Sequence, residues 1–108
     1  MDVHLGRVVF ENPEAANLEI VIDLVLEGRK AKAGLVYFGV WLDKEAEVTC
    51  PFVLDPNGQA DFGTSYDGQD RYYETNLNSI ELGVGKEILW RSGDLEQTFK
   101  VAGITQLV

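Results

Sequence analysis

The chain has a single cysteine and a single histidine. One cysteine excludes an intramolecular disulfide and a cysteine-rich metal site. One histidine excludes a multi-histidine metal centre. His4 also lies near the chain start, so a Ser-His-acid or Cys-His arrangement would need it to reach inward from a fraying strand end. It reads as an ordinary residue of a first strand. Basic residues are scarce, with 9 Lys and Arg against 18 Asp and Glu and a net charge of −9. The basic stripe needed to neutralise phosphates is missing, so direct nucleic acid binding is not expected. No apolar run approaches the roughly 20 residues of a membrane helix, and no membrane partner is expected. Met1 is followed by neither a basic stretch nor an apolar h-region, so the expected location is cytoplasmic, or within a phage or virus particle. A phosphate-binding glycine loop is lacking too, because Gly83-Val84-Gly85-Lys86 has neither the spacing nor a helix pattern after it. Without internal repeats or low-complexity segments, residues 1–108 read as one domain.

What the chain does have is strand and turn chemistry. Asp55-Pro56-Asn57-Gly58 matches a type I turn position by position, and a left-handed Gly58 would close a three-residue hairpin loop. Asp55 then faces Gln59, Leu54 faces Ala60, Phe52 faces Phe62, Cys50 faces Thr64 and Val48 faces Tyr66. A second hairpin runs through Glu87–Ser92 and Leu95–Val101 around Gly93-Asp94, a pair suited to a type II′ loop. Its register sets Glu87 against Lys100, Ile88 against Phe99, Leu89 against Thr98, Trp90 against Gln97, Arg91 against Glu96 and Ser92 against Leu95. Two opposite-charge pairs fall on one face and the large apolar residues mostly on the other.

Leu35–Leu42 is almost wholly apolar and reads as a strand buried on both faces. Across an Asp43–Ala46 turn, Val36, Phe38, Val40 and Leu42 are expected to meet Leu54, Phe52, Cys50 and Val48. Pro51 cannot donate to a ladder, so its strand is expected to be an edge or bulged there. Asn12-Pro13-Glu14 resembles a helix start, and Gly28 a helix stop. Yet Leu18, Ile20, Ile22, Leu24 and Leu26 alternate with Glu19, Val21, Asp23, Val25 and Glu27, which favours a strand. Val3–Glu11 adds a first strand, Arg71–Leu82 a weaker one, and Gly83-Val84-Gly85 a turn. The expectation is an all-β fold, a mostly antiparallel β-sandwich or small barrel of roughly seven to eight strands, with a helix at 13–27 as the main alternative.

Few residues suggest chemistry. Cys50 falls on the inner face of the first hairpin, where a thiol is inert packing. Asp55, Asn57, Asp61, Asp67 and Asp70 offer oxygen ligands for a hard cation. Counting from Asp55, however, a calcium loop would need Gly and Glu where Ala60 and Tyr66 stand, so no metal and no cofactor is expected. Glu19, Asp23 and Glu27 stand about 13 Å apart along an extended strand, too far to share one reaction. They could imitate a phosphate backbone or simply face water. Tyr66, Asp67, Asp70, Tyr72 and Tyr73 form the best candidate binding surface, since tyrosine beside aspartate suits recognition of a protein or a sugar. Tyr72 and Tyr73 should point to opposite faces.

These features suggest a protein without enzymatic activity: an interaction or assembly module, such as a small inhibitor or a particle subunit. Its expected partner is another protein or a second copy of itself. A small-ligand β domain, binding a carbohydrate or an apolar molecule, is the alternative. A carboxylate acid-base enzyme is a third reading, resting on no visible catalytic pair.

Overall fold

The computed structural model describes residues 3–63 and 71–107. Its strands are β1 (Val3–Asn12), β2 (Ala15–Glu27), β3 (Lys30–Ala31), β4 (Tyr37–Asp43) and β5 (Val48–Leu54), then β6 (Gln59–Asp61), β7 (Tyr72–Thr75), β8 (Glu87–Ser92) and β9 (Leu95–Gln106). The pairings between these strands are antiparallel. β1 pairs with both β2 and β9, so eight strands close in the order β1-β2-β4-β5-β6-β7-β8-β9, and β3 adds to the side of β2. The all-β expectation holds, and its barrel version is the one realised.

The segment with two readings is a strand. Asn12 Oδ1 accepts a hydrogen bond from the Glu14 N–H at 2.9 Å, which makes a turn of the residues that resembled a helix cap. Beyond it, Ile20, Ile22, Leu24 and Leu26 all point inward and are at most 2 % exposed. Period-two burial on a barrel wall outweighs the capping signal.

Both glycine-closed hairpins form as their residues imply. Gly58 has φ of 89°, the Asp55 N–H donates to the Gln59 carbonyl, and Leu54 pairs with Ala60. The Phe52 and Phe62 rings lie 5.3 Å apart. Thr64 and Tyr66, the expected partners of Cys50 and Val48, lie outside the described residues. In the β8–β9 hairpin all six pairs occur in the expected register, and Gly93 takes φ of 56°. The side chains of the two opposite-charge pairs differ: neither closes into an ion pair among the described residues, and Arg91 donates to Glu74 on β7, at 3.2 Å. Closure brings β7 alongside β8, and a local hairpin reading cannot see that neighbour.

The β4–β5 register differs by one residue from expectation. Tyr37 pairs with Leu54, Phe38 with Val53, Gly39 with Phe52, Val40 with Pro51 and Trp41 with Cys50. Asp43 pairs with Val48 across a four-residue loop in which Glu47, not a glycine, takes a left-handed φ of 56°. The shift reverses the faces of β4. Tyr37 turns inward, while Phe38 turns out and is 70 % exposed, so this strand is not buried on both faces. Gly39, the next residue, faces inward where a Cβ would lie 2.7 Å from Phe52 Cζ and 2.9 Å from the Val21 carbonyl oxygen. Pro51 sits within the β4–β5 ladder, while the described β5–β6 pairing stops at Val53, so no β6 partner is denied a donor there.

The weak Arg71–Leu82 segment divides into β7 and a single 3-10 turn, Leu77–Ser79. Asn76 leaves the ladder, and its Oδ1 accepts from the Leu89 N–H. This connection and β3 stop one end of the barrel. Leu77 and Leu82 are buried there with Ala31 and Tyr37, and the Leu82 N–H donates to the Arg29 carbonyl. The Tyr37 hydroxyl donates to the Lys32 carbonyl at 2.6 Å, and burial pushes its ionisation upward. Toward the other end the interior becomes aromatic, around Phe52, Phe62, Tyr73, Trp90 and Phe99.

Candidate functional site

The register of the barrel draws one continuous row across its outer wall. Arg7 pairs with Asp23, Asp23 with Phe38, Phe38 with Val53, Val53 with Asp61 and Asp61 with Tyr72. A second, apolar row lies beside it: Val9, Val21, Val40 and Pro51. Strand alternation sends these side chains outward, because the residues between them fill the core. Phe38 is 70 % exposed and Val53 37 %. Members of both rows, Val21, Asp23, Phe38, Val40 and Asp61 among them, line a shallow depression of about 630 Å³.

Charge is neutralised at both ends of the row. Arg7 grips Asp23 with Nε and Nη2, at 2.7 and 3.0 Å, and the bidentate geometry holds the Asp23 carboxyl below the usual aspartate range. Arg71 donates to Asp61 at 3.1 and 3.4 Å, and this contact, helped by the Gly63 N–H, likewise holds the Asp61 carboxyl low. The Arg71 guanidinium also lies 4.8 Å from the centre of the Tyr72 ring. An apolar centre bordered by Tyr, Arg and Asp has the anatomy of a protein-binding patch.

Of the residues singled out by sequence, Tyr72 joins this face and Tyr73 does not. Tyr73 turns inward and stacks on Trp90 at 5.7 Å and 24° between planes. Their opposite orientations follow the expected alternation. Tyr66, Asp67 and Asp70 lie outside the described residues. Phe38 was missed as a site residue because its outward orientation depends on the β4–β5 register. Asp23, read as one of a row of acids, is half of an ion pair, and Glu19 is bound by Lys44 at 3.2 Å. Two of the three carboxylates thus have their own cations, which weakens the phosphate-backbone reading.

Asp55 Oδ1 accepts from the N–H groups of Asn57 and Gln59, so the turn itself uses this carboxylate. Among the described residues no three His, Cys, Asp or Glu gather into a group able to hold a metal. His4 lies in β1 opposite Leu26. Cys50 is buried on the inner wall, where its sequence placed it. No helix among the described residues is long and apolar enough to cross a membrane. Comparison with protein families, with curated proteins and with solved structures finds no match.

Proposed function

We propose that this protein is a non-catalytic interaction module that docks a basic protein partner on the outer face centred on Phe38. The observation that carries the reading is the 70 % exposure of Phe38, in register between Asp23 and Val53. A large aromatic side chain held out on a rigid strand costs solvation and adds nothing to the core. It suits an anchor whose burial is supplied by a partner. Two features favour a basic partner over a second copy. The net charge of −9 opposes self-association and steers positive surfaces toward the barrel. Arg7 and Arg71 are also committed to aspartates of the same face, which leaves them poorly placed to receive an acidic partner.

Closure of the barrel leaves little sheet edge. Among the described residues, each of the eight strands is paired on both sides over at least part of its length, which supports recognition by side chains on the wall.

The test places a photo-crosslinking residue at position 53 and compares the native face with Phe38→Asp. Because Phe38 is exposed, Phe38→Asp should change stability by no more than about 0.5 kcal/mol. The expected result is a crosslink to a protein with a basic surface, with affinity falling about tenfold or more in the variant. A partner captured equally well by both proteins would contradict the assignment. Sedimentation showing a homodimer that Phe38→Asp dissociates would replace the basic partner with a second copy.

A further inference from the structure

β9 is longer than the strand beside it. It pairs with β8 from Leu95 to Lys100, and Val101 ends that side by donating to the Lys86 carbonyl and accepting from the Gly85 N–H. The chain before Gly85 turns away to the plug, where the Leu82 N–H donates to the Arg29 carbonyl. β9 then runs on to Gln106 against β1 alone, and no described strand pairs with its other side. The Leu107 N–H donates to the Leu5 carbonyl, so position 107 directs its backbone toward β1. Backbone groups alternate in direction along a strand, which sends those of Ile104 and Gln106 to the open side. Neither has a backbone partner there among the described residues.

Three observations name a second copy as the occupant of this edge. The first is charge. Residues 101–107 include no charged residue and no proline, in a chain that is 25 % charged. Lysine, proline or another charge usually guards an open edge, and this one lacks all of them. The net charge of −9 opposes contact between copies over the rest of the surface, so this neutral strip is where two can approach. The second is the symmetry of the edge. With two edges antiparallel and Ile104 of one copy opposite Gln106 of the other, the N–H and C=O of both residues find partners in both copies. The third is relief. Gly103 pairs with Val9 and Thr105 with Arg7, so Gly103, Thr105 and Leu107 share the outer face. In that register Thr105 meets Thr105, and Leu107 of each copy meets Gly103 of the other. A Cβ at Gly103 would have nothing within 4 Å, while Leu107 is 38 % exposed. Each copy thus carries a projecting side chain and the open place that receives it.

We infer that two copies of this chain pair edge to edge through the second half of β9, antiparallel about a twofold axis at Thr105. Such a contact is isologous and closes at two copies. It is small, and therefore weak and reversible. Salt strengthens it by screening the repulsion between two acidic barrels. β1 and β2 separate β9 from β4, so this contact does not depend on the face centred on Phe38.

Sedimentation equilibrium of the native chain should show a monomer–dimer equilibrium whose association constant rises at least about threefold between about 0.02 and 0.3 M salt. Hydrogen exchange at the Ile104 and Gln106 amides should slow as protein concentration rises. Gln106→Pro removes a donor that serves no partner within the described chain, and should be folded but monomeric. Thr105→Lys and Thr105→Glu each set like charges directly opposite one another, and each should be monomeric. Their equimolar mixture should dimerise, because opposite charges then meet; this arm stands even where Gln106→Pro fails to fold. Phe38→Asp should dimerise like the native chain, which keeps this test apart from that of the outer face. A native chain that stays monomeric at millimolar concentration in about 0.3 M salt overturns the inference, including one whose edge is protected only by a strand of another protein. So does a mixture that associates no more than its components, or a dimer that Phe38→Asp dissociates.

Discussion

Gly58 shows how one residue fixes a corner of this barrel. Its φ of 89° lies in the left-handed region, and a Cβ there would approach the Thr75 carbonyl oxygen to 2.5 Å. That carbonyl belongs to backbone already tied to the loop, because the Thr75 N–H donates to the Gly58 carbonyl. Neither side can retreat without losing a hydrogen bond. Gly58→Ala should therefore destabilise the protein by about 1–3 kcal/mol. In thermal melts this should lower Tm by at least about 4 °C. Gly83, where an added methyl group would have nothing within 4 Å, is the control, and Gly83→Ala should lower Tm far less. Equal melting of the two variants would show that the Gly58–Thr75 contact is not as described. Gly58 was legible in the sequence because Asp55, Pro56 and Asn57 precede it in the order that a type I turn requires. Phe38 carried no such local signal, since its direction is set by a turn several residues away.

At the scale of elements, legibility follows the chemistry of the turns. The hairpins closed by Gly58 and Gly93 have their left-handed position marked by the residue that occupies it most easily. The β4–β5 loop puts Glu47 there, so nothing in its sequence distinguishes the true register from one shifted by a residue. Asp43 holds this loop. Its Oδ1 accepts from Asn17 Nδ2 at 2.9 Å and from the N–H groups of Glu45 and Ala46, both at 3.1 Å. The Asn17 contact first, and then the backbone donors, hold the Asp43 carboxyl below its ordinary range. An aspartate lowered on folding binds its proton more readily in the unfolded chain. Its stabilising contribution is therefore complete above the unfolded value of about 3.9 and is lost as pH falls through the lower folded value. Asp43→Asn keeps an acceptor oxygen but has no carboxylate to protonate. Between pH 6 and pH 2.5 the native chain should lose more stability in urea than Asp43→Asn does. Parallel losses would show that the depressed ionisation contributes nothing. Asp23 and Asp61 act in the same direction, and because both proteins retain them, the difference isolates Asp43.

For the whole molecule, the decisive event is closure of β1 on β9, which pairs Arg7 with Thr105. No short-range pattern announces a pairing between opposite ends of the chain, so strand count and class were readable while the choice between sandwich and barrel was not. The same pairing should govern folding speed, since a seam formed by distant strands must overcome a large loop-closure entropy. Stopped-flow refolding followed by tryptophan emission should show a main phase in milliseconds to seconds. Refolding complete within microseconds would contradict a seam formed on the folding route. The inverted β4 strand has a consequence for how such a protein can change. Tyr37 and Trp41 serve the interior while Phe38 and Val40 serve the outer wall, so adjacent letters of one strand belong to different surfaces. Point substitutions can adapt either surface separately. A single-residue insertion or deletion within β4 would instead exchange the two, so this strand can diverge by substitution but must hold its length.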